Sequence, residues 1–451
     1  MKIRGLFHAM ILRKRLVVQA CLLLHVAVWT VAVRRSSSSP TDIATRVGQA
    51  LLGNEMVFVN WEGGFQYGPA IVVDGLYEAL GILNDETIKS QWEKQLSETI
   101  LQRYKVDPRT DPVHHANCSH HFPYGEAAAF RSCAFAILST DMPFSDYQFG
   151  NVGDQMNLFP INYLRRYDVR GETEDYDIAK VTVDKYLLPF PLRLEVDNTF
   201  SRGGGCCVNA TSGDTSYVWA DDQYMGMALM ARLSRTNALS LQEKRKLVDY
   251  ISTMQLQFRR HIYDLGGDGL IYHGAYVNKT AKLHSCCKWG RANGWGAMSH
   301  LEVLESMEQF PDHPNRIPVL SSFVHFIDSM MKFQDASTGR WHQVVNETST
   351  YLETSVTAMM VTAMATGVER GWLPSSLDGV SAYEDAALKA WEGLASQVTA
   401  NGTVLNICMG TGIMPTKEGY NGRGRDYWQS SPGGVGTVLR AAVAIDKFLK
   451  R

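Results

Sequence analysis

The sequence has little excess charge of either sign, because its 451 residues include 44 Lys and Arg against 46 Asp and Glu. Residues 1–40 hold seven of the basic side chains and no acidic one, so the rest carries 37 basic against 46 acidic, a net charge of −9. This acidic balance argues against a nucleic-acid binder, which needs a basic surface. The glycine pattern of a P-loop is also missing, which argues against a nucleoside triphosphatase.

Cysteine is sparse, with eight residues, and the Cys-x2-Cys spacing of many zinc sites does not occur. We therefore expect no metal and no cofactor. Cys21 lies in an apolar N-terminal run, and the other seven allow up to three disulfides in an oxidising compartment: Cys118, Cys133, Cys206, Cys207, Cys286, Cys287 and Cys408. Adjacent cysteines do not easily bond to each other, so one of Cys206 and Cys207 is predicted to bridge to one of Cys286 and Cys287.

The N-terminus has the pattern of a targeting segment. Eighteen mostly apolar residues, Leu16–Val33, follow Arg13, Lys14 and Arg15. More basic residues precede the run than follow it, which places the N-terminus in the cytoplasm and the rest in the lumen. Residues 1–40 are thus predicted to be a short tail, a cleaved signal peptide or a signal anchor, and a Ser-rich linker. The chain would enter the secretory pathway, as a secreted protein or a single-pass type II membrane protein held by this segment.

Five Asn-x-Ser/Thr sequences agree with a secretory glycoprotein: they begin at Asn117, Asn209, Asn278, Asn346 and Asn401. From residue 41 to 451 the apolar spacing predicts a single domain of twelve or thirteen helices. The predicted helices include Glu126–Leu138, Asp154–Tyr167 and Tyr217–Leu233. Their number indicates an all-α ring of paired helices. The inner helices of such a ring are buried all round, as in Met225–Leu233 and Ser355–Gly367.

Tryptophans gather in or beside the predicted loops, most of them close to Gly, Asp or Arg. Carbohydrate sites use aromatic faces as platforms, with a few polar groups fixing orientation, so this pattern favours a sugar-binding pocket over simple core packing. The tryptophans in question are Trp61, Trp219, Trp289, Trp295, Trp341 and Trp428.

Several motifs carry a family resemblance: YVWADDQYMGMALMARL from Tyr217, YHG from Tyr272, WGRANGW from Trp289 and YLETSVTAMMVTAMATGVERGW from Tyr351. Together they resemble the unsaturated uronyl hydrolases of glycoside hydrolase families 88 and 105, above all the unsaturated rhamnogalacturonyl hydrolases. The resemblance extends from the WEGGFQYGPAIVVDGL segment at Trp61 to the C-terminal GRGRDYWQSSPGGVG. It implies an (α/α)6 barrel of six helical hairpins, with no cofactor, acting on small oligosaccharides that end in an unsaturated uronyl residue.

The resemblance also implies a mechanism, in which one aspartic acid protonates C4 of the sugar's C4=C5 bond and its carboxylate then helps water to add at C5. The family's W-x-D-x-x-x-M pattern falls on Trp219, Asp221 and Met225, so Asp221 is the predicted general acid and base. Indole walls would raise the pKa of this carboxyl group. A helix cap is the alternative interpretation of Asp221, and Asp222 is the better candidate of the two for a cap. Asp154 matches the family's second aspartate less closely, and it too has a capping interpretation.

The other implied site residues are substrate-binding. His273 matches the family's histidine, and Arg291 and Trp295 match its W-x-R-x-N-G-W run, with Arg291 able to hold the substrate carboxylate. Trp61 and Trp289 are predicted to line the pocket. For Arg291 an ion pair at a helix start is the alternative, and Glu353 is expected to favour a helix start.

Two other functions remain open at this point. The first is a different enzyme of the same barrel type, an epimerase or an inverting glycosidase with Asp154 and Asp221 as its pair of carboxylates. The second is a glycan-binding protein without catalysis. Residues 196–214 resemble an insertion relative to the family, and we expect them to form a disulfide-pinned loop over the pocket mouth.

Overall fold

The computed structural model describes residues 39–54, 67–100, 158, 160–190, 192–202, 216–374, 381–422 and 432–451. Its longer helices are α1 (Pro40–Leu52), α2 (Tyr67–Ala79), α3 (Glu86–Lys94), α4 (Pro160–Arg170), α5 (Thr173–Thr182), α6 (Asp222–Arg235), α7 (Leu241–Ile262), α8 (Gly290–Met307), α9 (Arg316–Met331), α10 (Thr354–Glu369), α11 (Ala382–Ala395), α12 (Lys417–Asn421) and α13 (Pro432–Lys450). Wider π-helical turns extend α3 through Gln95–Ile100 and α5 through Val183–Leu187. Five short strands are β1 (Tyr217–Trp219), β2 (Gly274–Val277), β3 (Lys282–His284), β4 (Trp341–His342) and β5 (Leu352–Glu353).

Six helices close an inner ring, each packing against the next in the order α2, α4, α6, α8, α10, α13 and back to α2. The outer layer consists of α1, α3, α5, α7, α9 and α11. This is the predicted (α/α)6 barrel. The inner helices α6, α8 and α10 have almost no solvent face, and all of α10 except Thr366 and Glu369 is buried. The expectation that Met225–Leu233 and Ser355–Gly367 belong to inner helices is confirmed.

Glycine lets the last inner helix close against the first. A Cβ atom on Gly75 of α2 would lie 2.6 Å from the carbonyl oxygen of Gly436 on α13, and a Cβ on Gly436 would lie 2.6 Å from that of Ile71. Real side chains do not approach a backbone oxygen so closely. Any larger residue would therefore push the two helices apart and open the ring.

The short strands lie at the end of the barrel where α6, α8 and α10 begin. β1, β2 and β3 form an antiparallel sheet in that order, with Trp219 opposite Gly274, and β4 pairs with β5. The predicted helix Tyr217–Leu233 was therefore wrong in its first turn. Its Tyr-Val-Trp start consists of strong strand formers and pairs with β2 before α6 begins.

The disulfide prediction was wrong for Cys286 and Cys287, which are bonded to each other. Two adjacent cysteines in an extended strand point to opposite faces, which keeps their sulfur atoms apart. Here β3 has ended at His284 and the chain bends towards α8, so both sulfur atoms lie on the same side. Cys206 and Cys207 lie outside the described residues, as do Glu126–Leu138, the run Leu16–Val33 and most of residues 196–214.

Among the described helices, none combines the length and the apolar character that a membrane crossing requires. The domain boundary at residue 40 stays a prediction.

Candidate active site

Asp221 occupies the position just before α6, but it does not cap the helix. Its backbone is already helical, with φ −59° and ψ −33°, and its side chain accepts no hydrogen bond from the first turn. The strand pairing continues one residue past Trp219, since the Ala220 N–H donates to the His273 carbonyl at 3.0 Å. The residue is only 9% exposed. A mostly buried carboxyl group is thus held at the barrel end without the helix-capping role that its position suggests.

His273 lies next to Asp221 because β1 and β2 pair in this register. Its Nε2 atom is 3.3 Å from Asp221 Oδ2, and its Nδ1 atom shares a 2.7 Å hydrogen bond with the hydroxyl group of Tyr420 on α12. A carboxylate beside Nε2 favours the proton on that nitrogen, so in the neutral ring Nδ1 accepts the Tyr420 proton. Asp221, His273 and Tyr420 therefore lie in a row, with a hydrogen bond between His273 and Tyr420 and an ion-pair distance, but no formed hydrogen bond, between His273 and Asp221. Tyr420 was not predicted from the sequence.

Two of the predicted tryptophans form walls around this row. Trp219 meets the His273 ring edge-on, with ring centroids 5.4 Å apart, and Trp289 lies 4.6 Å from it. Met225 and Trp295 are also completely buried, and Trp295 stacks on Tyr224 instead of on the His273 ring. The structure thus brings Trp219, Trp289 and His273 together at Asp221, and places Met225 and Trp295 in the core.

Four buried polar atoms in this group lack a hydrogen-bond partner in the part of the chain that the structure describes. They are Asp221 Oδ2, His273 Nε2, Trp219 Nε1 and Trp289 Nε1. An unsatisfied buried polar group costs about 1–3 kcal/mol, and natural proteins rarely keep several together without a ligand or a catalytic reason. This concentration of unsatisfied groups marks the candidate site.

Arg291 adopts the ion-pair arrangement rather than an exposed one. Its side chain is completely buried, donates from Nε to Ser355 Oγ at 2.9 Å, and lies 3.8 Å from the Glu353 carboxylate. Glu353 caps α10, accepting from the backbone of Ser355 at 3.0 Å and of Val356 at 2.9 Å. The guanidinium group of Arg291 lies 5.5 Å from the centre of the Trp289 ring, so it packs against this indole. A direct contact of Arg291 with substrate stays a prediction.

Asp222 belongs to a buried ion pair. Arg202 donates to its two carboxylate oxygens at 2.9 and 2.7 Å, and the guanidinium group lies 4.3 Å from the Trp219 ring centre. The neighbouring aspartates therefore have separate positions, Asp222 fixing Arg202 and Asp221 facing His273. The sequence could not reveal this pairing, because Arg202 lies inside the apparent insertion 196–214 and is 20 residues away from Asp222 along the chain.

The pKa of Asp221 is lowered, contrary to the expectation from its indole surroundings. Burial alone would raise the pKa of this carboxyl group, but His273 beside it and the positive charge of Arg202 together outweigh burial. Trp219 and Trp289 lie beside the His273 ring, whereas Trp295 stacks on Tyr224. The correction arises because the sequence did not show that a histidine and an arginine would be close enough to stabilise the carboxylate.

Two predicted site residues, Asp154 and Trp61, lie outside the described residues, and their roles stay predictions. Within the described ranges, no three His, Cys, Asp or Glu side chains are grouped so as to hold a metal ion.

The fold is shared with solved sugar-degrading enzymes. One is a possible member of the GH105 family from Salmonella enterica, with TM-score 0.65, 15% identity, and coverage of 91% of this chain and 93% of that one. A family 105 glycoside hydrolase from C. acetobutylicum has TM-score 0.65 and 19% identity, covering 89% and 99%. An unsaturated glucuronyl hydrolase from Bacillus sp. GL1 has TM-score 0.53 and 12% identity, covering 88% and 94%. These structures show that the chain has the fold of the six-hairpin helical barrels.

The chain belongs to Glycosyl Hydrolase Family 88, whose family model matches residues 150–449. A curated relative, the unsaturated rhamnogalacturonyl hydrolase YesR of Bacillus subtilis, is 28% identical over 205 residues. That alignment covers 45% of this chain and about half, 53%, of the relative. The matched residues of the chain include Asp221, His273, Trp289 and Tyr420.

Proposed function

We propose that the protein hydrolyses oligosaccharides that end in an unsaturated galacturonyl or glucuronyl residue, by adding water across the C4=C5 bond of that residue. The observation that carries the proposal is the position of Asp221, a buried carboxyl group that caps nothing and lies beside His273 between two indole rings. The family supports the substrate class, since the related YesR is named an unsaturated rhamnogalacturonyl hydrolase.

The proposed reaction needs a single acid that works twice. Asp221 gives a proton to C4, positive charge develops at C5, and a water molecule adds there while the Asp221 carboxylate accepts one of its protons. The resulting hemiketal opens, leaving a ketone at C5, and the former glycosidic carbon then releases the remaining sugar as an alcohol. His273, held by Tyr420, orients the carboxyl group and stabilises it in the charged form.

The lowered pKa of Asp221 in the free enzyme is compatible with its role as the acid that must carry a proton before C4 is protonated. The substrate carries its own carboxylate next to the C4=C5 bond, and bringing a like charge towards Asp221 favours the neutral carboxyl form. Closing the indole walls around the sugar excludes water and acts in the same direction. Asp221 thus gains its proton as the substrate binds.

The barrel end is suited to an anionic sugar even though the chain is acidic overall. The inner helices α6, α8 and α10 all begin here, and helix N-termini favour negative charge. Arg202 lies 4.3 Å from the centre of the Trp219 ring and lowers the pKa of Asp221, although its own charge is balanced by Asp222. Trp219, which is half-buried, is the proposed sugar platform, and the buried Trp289 supports the His273 ring beside it. The family pattern adds Trp61 and Asp154, and Arg291 supports the floor of the site.

The test is hydrolysis of a panel of disaccharides made by polysaccharide lyases, followed by loss of the ultraviolet absorbance of the conjugated double bond. In D2O the proposed route puts one solvent deuteron on C4 of the released sugar, and 18O from labelled water enters the C5 ketone. Direct cleavage at the anomeric carbon would keep the double bond and put 18O on C1. Equal turnover of saturated disaccharides would also contradict the proposal.

We also propose that the protein enters the secretory pathway, on the basis of the basic and apolar N-terminal pattern and the five glycosylation sequences. Expression of the full chain in a eukaryotic cell tests this. Removal of N-linked glycans should increase gel mobility, and an unchanged mobility together with cytosolic fractionation would contradict it.

A further inference from the structure

The bond between Cys286 and Cys287 lies in the five-residue link, residues 285–289, that joins the small sheet to the barrel. β3 ends at His284, and α8 begins at Gly290. Cys286 is exposed, whereas Cys287 is only 7% exposed. The disulfide therefore closes a small ring at the surface directly beside the site, and no step of the proposed reaction uses it.

One side of this ring holds the peptide group of His273. The carbonyl oxygen of Cys287 accepts the His273 backbone N–H at 3.2 Å. The neighbouring residues continue the pairing, since the Ser285 N–H donates to the Gly274 carbonyl at 2.8 Å and the Gly274 N–H donates to Ser285 Oγ at 3.2 Å. Movement of the Cys287 carbonyl would therefore move the backbone that carries the imidazole ring.

The other side of the ring leads to Trp289, whose indole packs 4.6 Å from the same imidazole. This end of the link is fixed independently. Lys288 binds Asp264 at 2.7 Å, and the Gly290 N–H donates to the Gln343 carbonyl at 2.7 Å. With both ends held, the rotation of the peptide between the two cysteines is the main freedom left, and the disulfide removes it.

The ring also touches the segment that supplies Tyr420. Cys286 Sγ lies 3.3 Å from the carbonyl oxygen of Met414, six residues before Tyr420. A Cβ on Gly412 in the same segment would lie 3.8 Å from the Trp219 ring. The backbone of His273, its packing partner Trp289 and the segment of its hydrogen-bond partner Tyr420 thus all meet this disulfide.

We infer that the Cys286–Cys287 disulfide is a positioning element for His273, which keeps Nε2 directed at Asp221 and makes turnover sensitive to thiol reductants. The part that concerns turnover rests on the proposed function. Reduction by a dithiol transfers two electrons and two protons, breaks the sulfur–sulfur bond, forms two thiols and leaves the dithiol as a cyclic disulfide. The open link can then rotate towards an extended backbone, and the Cys287 carbonyl moves away from His273.

The experiment compares wild type with the double variant Cys286→Ser/Cys287→Ser, each with and without dithiol. Misplacing a catalytic group by about 1 Å costs on the order of 100-fold, so we expect kcat to fall by roughly 10- to 100-fold with KM changed less than about twofold. Reduced wild type should match the double variant, reoxidation should restore it, and dithiol should have no further effect on the variant. That last arm separates this bond from any other disulfide.

A second readout needs no substrate. The ring signals of His273, identified by their loss in His273→Gln, should shift once the disulfide is absent. If wild type cleaves no unsaturated uronide, the proposed function fails, and the histidine signals still decide the positioning role. Should the double variant not fold, wild type reduced in the folded state and alkylated at Cys286 replaces it. Unchanged kcat and unchanged His273 signals would overturn the inference.

Discussion

Near the C-terminal end of α6, away from the candidate site, buried carboxylates are bound directly by arginines. Arg232 donates to Asp74 at 2.9 Å and to Glu302 at 2.7 Å, and Arg165 donates to Asp74 at 3.0 Å. At the other end of the same helix, Asp221 has no arginine within hydrogen-bonding distance among the described residues, and only His273 lies beside it, at 3.3 Å. At its C-terminal end α6 thus contributes to a network in which every carboxylate is bound by arginine, whereas at its N-terminal end Asp221 is not bound by an arginine.

The difference has an electrostatic consequence. Burial would raise the pKa of Asp74, yet Arg232, Arg165 and Arg440 together hold it well below its ordinary value, and the pKa of Glu302 is lowered in the same way. These groups cannot take up a proton near neutral pH. The pKa of Asp221 is also lowered against the effect of burial, but its stabilisation comes mainly from one neighbouring histidine and not from arginines bound directly to it. A carboxyl group with such a partner can be protonated when a substrate alters its surroundings.

The comparison is tested most severely by Asp221→Asn. The amide keeps the shape but cannot donate a carboxylic proton, so we expect kcat to fall by about 10²- to 10⁴-fold, with thermal unfolding close to wild type because Asp221 caps no helix. Loss of double-bond absorbance and a calorimetric melting curve measure the two effects. The matched control is Asp222→Asn, which breaks a buried ion pair and should lower stability while each folded molecule keeps most of its activity. Full activity of Asp221→Asn would remove the assignment.

Asp74→Asn should give the reverse result. Leaving Arg232 without this partner costs about 3–5 kcal/mol of unfolding free energy, while kcat per folded molecule stays near wild type. The sign with pH follows from the lowered pKa: the stabilisation is complete above the unfolded-state value near 4 and is lost as the pH falls towards the lower folded value. Urea unfolding from pH 7 down to 3 should therefore show the difference between wild type and variant shrinking. A constant difference would contradict the ion-pair explanation.

The sequence predicted the inner helices well because burial on all sides is a local property, visible in the apolar run Met225–Leu233. It failed where the decisive contact is distant. Tyr420 reaches His273 across 147 residues, and Arg202 reaches Asp222 across an apparent insertion. The family pattern predicts Asp221 as the acid, but the lowered pKa of Asp221 depends on His273 and Arg202, whose positions beside it no spacing rule reveals. The bond between Cys286 and Cys287 was missed because it requires a bend that the residue types do not specify.

Tyr420→Phe sharpens the comparison at the partner of His273. Removing the hydroxyl group takes away one hydrogen bond to Nδ1, a contribution of about 0.5–1.5 kcal/mol, so kcat should fall by roughly 2- to 10-fold. KM should change little, because the hydroxyl acts through the imidazole. Tyr276→Phe provides the control, since its hydroxyl accepts a hydrogen bond from the half-buried Asn278 instead. Equal effects of the two variants on kcat would contradict the role given to Tyr420.

The smallest expected effect is a difference in pH dependence between kcat/KM, which reports the free enzyme, and kcat, which reports the enzyme–substrate complex. The fall of kcat/KM at high pH reports the pKa of Asp221 in the free enzyme, where burial is outweighed by His273 and Arg202 and the pKa is low. The fall of kcat at high pH, its basic limb, reports the pKa of Asp221 in the enzyme–substrate complex. Because the uronide carboxylate favours the protonated acid, the kcat limb should lie at higher pH. A methyl ester of the same substrate lacks this charge, so its two limbs should lie closer together. If the basic limbs of kcat and kcat/KM coincide for the charged substrate, Asp221 does not gain its proton on binding. Asp221 would then stay ionised, as Asp74 and Glu302 do in their arginine pairs.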